Sequence, residues 1–209
     1  MTVERPLPPW DSAERDAKRP RWRADDIRVD HDSPWMRLEV SPAIAPTGRR
    51  TEYGVVRFGN RAVGVLPLHD DGTVTLVGQM RFAFDAWSWE MPEGGVPFNE
   101  HMPDGARREL REETGLIAAN LREILQMDMS NSITDEVAVC YLATGLTATE
   151  TEPDDTENLE IARVPFKDVL EAVIKGQIRD ALTVATVLRV YHMAVTGALP
   201  EALARLIRS

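Results

Sequence analysis

Short runs of alternating or continuous apolar residues dominate the chain up to about residue 143. Such runs, rich in β-branched and aromatic residues and bounded by turn-forming residues, are typical of β-strands. They predict strands at residues 35–40, 51–58, 61–68, 73–80, 121–129, 136–143 and, further along, 159–164. Because Asp70-Asp71-Gly72 is a turn sequence between two of these runs, we expect residues 61–68 and 73–80 to form a hairpin in the core sheet.

Apolar residues recur with helical spacing mainly in the last part of the chain. This spacing predicts amphipathic helices at residues 166–175, 180–195 and 200–207, and one earlier helix at 103–114. Strands followed by a helix, more strands and then helices indicate a layered domain of the α+β or α/β class.

The N-terminal 33 residues have a different composition, rich in Pro, Arg and Asp. They predict a flexible arm or one that wraps a partner, and Trp10 and Trp22 favour docking of part of it. Residues 34–58 are predicted to add an N-terminal β extension, and residues 59–209 are predicted to form the main domain.

Charge and composition exclude several classes of protein. The chain has 209 residues and a net charge of −10, which would repel a phosphate backbone, so nucleic acid is excluded as an expected partner. No apolar run approaches the length that a membrane span needs, and the N-terminus lacks the apolar centre of a signal peptide. The lone Cys140 lies in an apolar run, which indicates a buried and inert thiol. We therefore expect a cytoplasmic protein without membrane contact.

Three carboxylates in the predicted helix 103–114 indicate chemistry. Glu109, Glu112 and Glu113 are spaced so that they project from one face, where like charges repel unless a cation lies among them. Mg²⁺ takes oxygen ligands and binds such carboxylates together with substrate phosphates. The acids belong to a longer motif: Gly94, five residues, Glu100, seven residues and then RELREETGL at 108–116. This motif resembles the Nudix box at every specified position.

The resemblance implies an α/β/α sandwich around a mixed sheet, the Nudix fold, covering about residues 59–195. It implies that Arg108 orients the acids and that Glu109, Glu112 and Glu113 bind Mg²⁺, with Mn²⁺ as a substitute. The backbone carbonyl of Glu93 is a further metal ligand by the same resemblance.

Segments that flank the box resemble the branch that hydrolyses ADP-ribose and other nucleoside diphosphate sugars. In GQMRFAFDAWSWEMPEGG (78–95), this likeness places Arg81 on the substrate and Glu90 near the metals. In EPDDTENLEIARVPF (152–166), it makes Glu157 the base that prepares the attacking water, with Glu160 as the alternative. Asn131 stands where ADP-ribose enzymes usually have proline, so GDP-mannose-type substrates stay open.

The predicted function is therefore Mg²⁺-dependent hydrolysis of a nucleoside diphosphate sugar to two monophosphates. Two alternatives remain, namely a Nudix hydrolase of a dinucleotide cofactor or damaged nucleotide, and an ADP-ribose-binding module without turnover. In this branch the N-terminal strands often cross to a second subunit. We therefore expect a homodimer in which Trp35 or Tyr53 stacks on the substrate.

Overall fold

Two units of structure follow one another along the chain, residues 1–57 and 58–209. The structure is a computed structural model, and it describes residues 10, 16–150 and 158–208. Within this part of the chain, no helix is both long and apolar enough to cross a membrane.

The N-terminal unit is a small four-stranded sheet arranged around its third strand. Its strands are β1 (Arg23–Ala24), β2 (Arg28–Asp32), β3 (Met36–Ile44) and β4 (Arg50–Phe58), and each of the other three pairs with β3. The strands predicted at 35–40 and 51–58 are confirmed as β3 and β4. Strands β1 and β2 lie inside the predicted arm, so residues 23–32 belong to this sheet.

The second unit contains two sheets. The larger is mixed and has the strand order β8-β5-β10-β9, whereas the smaller has the order β11-β6-β7. The larger is formed by β5 (Asn60–Pro67), β8 (Glu93–Pro97), β9 (Leu116–Asp128) and β10 (Val137–Ala148), and the smaller by β6 (Thr73–Arg81), β7 (Ala86–Glu90) and β11 (Glu160–Pro165). Strands β5 and β10 are parallel, and every other pair is antiparallel.

The hairpin predicted for residues 61–68 and 73–80 is wrong, although the turn between them is present. Gly72 has φ +81°, and the only pairing across the turn is the single bridge between Leu68 and Val74. The reason is competition from strands that are distant in sequence: β10 and β8 take both edges of β5, while β7 and β11 take both edges of β6.

Helices cover both faces of the mixed sheet. Alternate residues of β10 point to opposite sides, so Ala138 and Cys140 belong to one buried cluster while Val139 and Tyr141 belong to another. Helix α1 (Met102–Thr114) packs on the second cluster, and α2 (Phe166–Ile174), α3 (Ala181–Val195) and α4 (Glu201–Arg208) pack on the first. The predicted α+β class and α/β/α sandwich are confirmed.

Candidate active site

Helix α1 separates an apolar face from an acidic one. Ala106 and Leu110 are completely buried against the sheet. Pro103 lies in the first turn, where its missing N–H costs no helical hydrogen bond. Gly115 ends the helix with φ 63°, and its N–H donates to the carbonyl of Arg111. These boundaries fix the orientation of the opposite face, which carries the three glutamates of the box.

Strand β8 runs so close to α1 that a side chain at position 94 would displace the carboxylate of Glu109. A Cβ on Gly94 would lie 2.2 Å from Cδ of Glu109, so the missing side chain leaves the space that this carboxylate occupies. Glu109 and Glu113 are buried, and Oε2 of Glu113 accepts a hydrogen bond of 3.2 Å from the N–H of Glu93. The glycine-rich strand and the acidic helix face therefore form one structural unit.

Arg108 binds two glutamates of α1 to one another and to strand β8. Its Nη1 donates to Oε1 of Glu109 at 2.8 Å and to Oε2 of Glu112 at 3.0 Å. Its Nη2 donates to the Gly95 carbonyl at 3.0 Å and to Oε2 of Glu100 at 3.2 Å. Burial opposes the charged form, but the hydrogen bonds and charges of the glutamates outweigh it and raise the pKa of Arg108. We call Glu109, Glu112 and Glu113 with Arg108 the box group; these contacts support the orienting role of Arg108, which stays a prediction.

A second acidic group lies at the start of β8. Carboxylate oxygens of Glu90, Glu93 and Asp180 all lie within 4.8 Å of one another. Arg81 binds two of these acids: its Nε donates to Glu90 at 3.0 Å, and its Nη2 donates to Oε1 of Glu93 at 2.6 Å. We call these four residues the Arg81 group.

The second oxygen of Glu93 is buried and has no hydrogen-bond partner among the described residues. Burial, followed by the charges of Asp180 and Glu90, raises the pKa of Glu93 well above its usual range, and Arg81 only partly offsets this. A buried carboxylate oxygen in this situation is suited to bind a cation or a proton.

Sequence reasoning did not find Asp180 as a residue of this site. Asp180 precedes α3 and accepts a hydrogen bond of 2.7 Å from the N–H of Thr183, as an N-cap residue does. The completely buried Thr183 in turn accepts a hydrogen bond of 2.9 Å from the N–H of Met91 through its hydroxyl. An Asp at the start of a predicted helix signals the cap, but no local pattern signals that this cap meets the turn between β7 and β8.

A cavity of about 460 Å³ opens beside the Arg81 group. Glu90, Glu93 and Asp180 line it together with Arg81, and Trp87 and Arg179 line it further out. Its size is that of pockets that bind small molecules. The predicted substrate residue Arg81 and the predicted acid Glu90 therefore lie on the wall of one cavity.

The other predicted site residues are distributed as follows. Glu157 lies outside the described residues. Glu160 is exposed and begins β11 opposite Gly78, so it belongs to a strand. Tyr53 contacts Trp22 edge-on at 4.9 Å within the N-terminal unit, and Trp35 in the same unit is 75% exposed.

Comparison with known proteins identifies the class. Residues 59–185 match the NUDIX domain, and the chain belongs to this family. It is 32% identical over 148 residues to an ADP-ribose pyrophosphatase of Bacillus subtilis, an alignment that covers 70% of this chain and 80% of the relative. It is 29% identical over 157 residues to CMP-5'-(N-acetyl-N-hydroxy-3-aminopropyl)phosphonate hydrolase of Streptomyces rubellomurinus, covering 75% and 76% of the two chains.

A solved structure described as an ADP compounds hydrolase superposes with a TM-score of 0.76. The superposition covers 85% of this chain and 97% of that one at 20% identity, and it shows the fold. The predicted family, fold and enzyme class, a Nudix pyrophosphatase, are confirmed.

Proposed function

We propose that the chain hydrolyses the diphosphate bond of a nucleoside diphosphate sugar to two monophosphates, with water as the nucleophile and Mg²⁺ as the cofactor. The observation that carries this proposal is the cavity beside Arg81, whose inner wall holds buried carboxylates. The relatives named after pyrophosphatase and hydrolase activity on nucleotide derivatives support the same reaction class.

The donor set fits a hard divalent cation. Oε2 of Glu93 is buried without a hydrogen-bond partner among the described residues, and the buried carboxylates of Glu109 and Glu113 lie beside Gly94 and the N–H of Glu93, which supports a cation among them. We assign the metal ligands to Glu109, Glu112, Glu113 and the carbonyl of Glu93, with Mn²⁺ as a substitute for Mg²⁺. When bound, the ion would neutralise the charge of the diphosphate and lower the pKa of a water molecule.

The protein groups have separate tasks in this reaction. Arg108 holds Glu109 and Glu112 in position, and Arg81 does the same for Glu90 and Glu93 while lining the cavity that receives the diphosphate. Glu157 accepts the proton of the attacking water, with Glu160 as the alternative. The water then attacks one phosphorus, and the bond to the bridging oxygen breaks.

A phosphate-release screen over nucleotide sugars, with Mg²⁺ and after its removal with EDTA, tests the reaction and the substrate class. We expect release only with the metal, and only when a phosphatase cleaves the monophosphate products. The Asn131 position leaves ADP-ribose and GDP-mannose-type substrates both in the screen. A dinucleotide cofactor or an oxidised nucleotide as the sole substrate would support the alternative Nudix activity, and tight ADP-ribose binding without turnover would support a binding module.

The base assignment has its own test. Glu157→Gln should reduce kcat far more than it raises KM, because the group acts only in the transition state. Loss of activity in Glu160→Gln, with Glu157→Gln active, would move the role to Glu160.

We also propose a homodimer, located in the cytoplasm, in which residues 20–58 pack across the partner. In the N-terminal unit Trp22 is 50% exposed, Ile27 61% and Trp35 75%, and clustered exposed apolar side chains usually mark interfaces. Trp35 or Tyr53 would then approach the partner's substrate. Sedimentation should show a dimer, whereas a fully active monomer would contradict the proposal.

A further inference from the structure

A connection of two residues, Met91 and Pro92, joins β7 to β8 and is bound from three sides. The N–H of Met91 donates to the hydroxyl of Thr183 in α3 at 2.9 Å, and the carbonyl of Pro92 accepts from the N–H of Val65 in β5 at 2.8 Å. The N–H of the next residue, Glu93, donates to a carboxylate of helix α1 at 3.2 Å. Because three different elements bind three successive residues, the path of the backbone here depends on all of them.

The pairing of β8 with β5 directs the backbone of Glu93 towards the box group. Glu93 lies opposite Gly64 in this antiparallel ladder, and the N–H of Val65 binds the carbonyl of Pro92. This combination defines a pair in which the two opposite residues are not hydrogen-bonded to each other, so the N–H and C=O of Glu93 point away from β5. The N–H binds Glu113 there, and the carbonyl that we assign as a metal ligand points to the same side.

Thr183 and Met91 are each fixed by contacts besides the hydrogen bond between them. Thr183 is completely buried in the first turn of α3, and its own N–H donates to the carboxylate of Asp180 at 2.7 Å. Met91 is completely buried as well, and its methyl carbon fills the space that a Cβ on Gly64 would occupy. Since neither residue can move without its surroundings, their hydrogen bond ties the position of the connection to that of α3.

We propose that Thr183 is a positioning residue of the hydrolysis: its hydroxyl, through the N–H of Met91, sets the place of the Glu93 backbone at the metal site. Thr183 is completely buried, so it acts through this backbone and not by touching the substrate. The inference rests on the proposed function, because it takes the Glu93 carbonyl as a ligand of the ion. Mg²⁺ demands near-ideal octahedral geometry, and a small shift of one ligand therefore weakens its binding.

The test measures Mn²⁺ binding to the full chain by calorimetry, without substrate and at a temperature where every variant is folded. Thr183→Val replaces the hydroxyl with a methyl group of similar size and should weaken Mn²⁺ binding about tenfold, the lower end of the range for a partner of a metal ligand. The Mg²⁺ concentration for half-maximal hydrolysis should rise by the same factor, because less of the enzyme carries metal. Thr183→Ser keeps the hydroxyl and should retain the original values of both quantities.

Two control variants in α3 separate the position of the connection from the stability of the helix. Thr186 lies about one turn further along α3 and is equally buried, and its hydroxyl accepts no backbone hydrogen bond among the described residues. Thr186→Val is therefore the same chemical change without the contact to the connection. Val190→Ala removes buried methyl groups from the same helix and should lower the melting temperature. Neither control should change the Mn²⁺ affinity.

Thr183→Cys takes the place of the valine variant if that chain does not fold. A thiol is a weaker hydrogen-bond acceptor than a hydroxyl, so the cysteine variant should bind Mn²⁺ more weakly than the serine variant. Equal Mn²⁺ affinity in these two variants would contradict the proposal.

Three results would overturn the positioning role. They are an unchanged Mn²⁺ affinity in folded Thr183→Val, an equal loss of affinity in Val190→Ala, and a loss in Thr183→Ser as large as that in the valine variant. Failure of the proposed function gives a different pattern. If Thr183→Val weakens Mn²⁺ binding but the chain hydrolyses no nucleotide sugar, the positioning role stands and the proposed reaction is refuted, whereas a chain that binds no Mn²⁺ refutes both.

Discussion

The box group and the Arg81 group each hold several carboxylates close to one arginine, but the chain assembles the two groups differently. In the box group the three glutamates and Arg108 come from one helix, and helical spacing alone brings them together. In the Arg81 group the residues come from the end of β6, the end of β7, the start of β8 and the residue before α3. Only tertiary structure assembles the second group.

This difference decides which group can be recognised from sequence. A helix repeats every 3.6 residues, so a local pattern predicts which side chains share a face. Asp180 is far from Glu90 and Glu93 in the chain, and its proximity depends on how α3 packs against the turn between β7 and β8. The comparison also predicts that changes in the box group affect both metal binding and chemistry, whereas changes around Asp180 affect the charge balance of the Arg81 group and local stability.

The largest expected effect is in the box group. Glu113→Gln should lower kcat more than about 100-fold without unfolding the chain, because even the outer partners of metal ligands cost 10–100-fold when changed. Steady-state kinetics and a thermal melt measure the two quantities, and Glu171→Gln, an exposed acid of α2, is the control. Near-normal turnover of the variant in excess EDTA would refute the metal assignment.

A substitution at Thr183 tests the hydrogen bond that connects α3 with Met91, next to the Arg81 group. Thr183→Val replaces the hydroxyl with a methyl of similar size and leaves the N–H of Met91 without its acceptor, which should cost about 1–3 kcal/mol of the free energy of unfolding. Urea denaturation measures the loss, and Thr183→Ser should restore most of the stability. Equal destabilisation by serine and valine would show that the hydrogen bond is not the cause.

Two substitutions at Asp180 distinguish the effect of its charge from the effect of its helix-capping hydrogen bond. Asparagine caps helices as well as aspartate, so Asp180→Asn should keep the melting temperature while weakening Mn²⁺ binding about tenfold. Asp180→Ala removes the cap as well and should lower stability by about 1 kcal/mol. Unchanged Mn²⁺ affinity in the asparagine variant, measured by calorimetry, would show that the charge of Asp180 does not contribute to ion binding.

The smallest effect expected of a substitution is measured at Cys140, a core residue whose pKa responds to Glu93 and Asp180 of the Arg81 group. Burial, with contributions from Glu93 and Asp180, raises the pKa of its thiol from 9.0 to about 11. The folded state thus favours the neutral thiol. The contribution of this thiol to the free energy of unfolding is fully present below pH 9 and is lost as the pH rises towards 11. Iodoacetamide should label native Cys140 at least about 100-fold more slowly at pH 8 than the urea-unfolded chain, because two pKa units alone reduce the thiolate fraction by about that factor and the thiol is also completely buried.

Asp180→Asn should slightly accelerate the labelling of native Cys140, and the control Glu171→Gln should not. Labelling at the same rate in the native and unfolded chains would show that the thiol is neither buried nor shifted.

Local patterns predicted the elements well and their pairing poorly. The helix predicted at 103–114 is α1 to within a residue, because its first-turn proline and its terminal glycine are both local signals. The predicted hairpin at Asp70-Asp71-Gly72 fails because turn residues fix the bend but not which edges the two strands use. Strand β9 begins at Leu116, five residues before the prediction, because it pairs along β10 as far as Ala148.

The parallel pairing of β5 with β10 also has a consequence for folding kinetics. Its register pairs Ala62 with Ala138, so this ladder closes a loop that contains every residue between them. The loop includes the box helix and two of the acids of the Arg81 group, Glu90 and Glu93. Closing so long a loop costs chain entropy before its contacts can form, which slows folding. The central ladder is therefore a late event during refolding. Enzymatic activity should return only with it, even where α1 has already regained its helical circular dichroism.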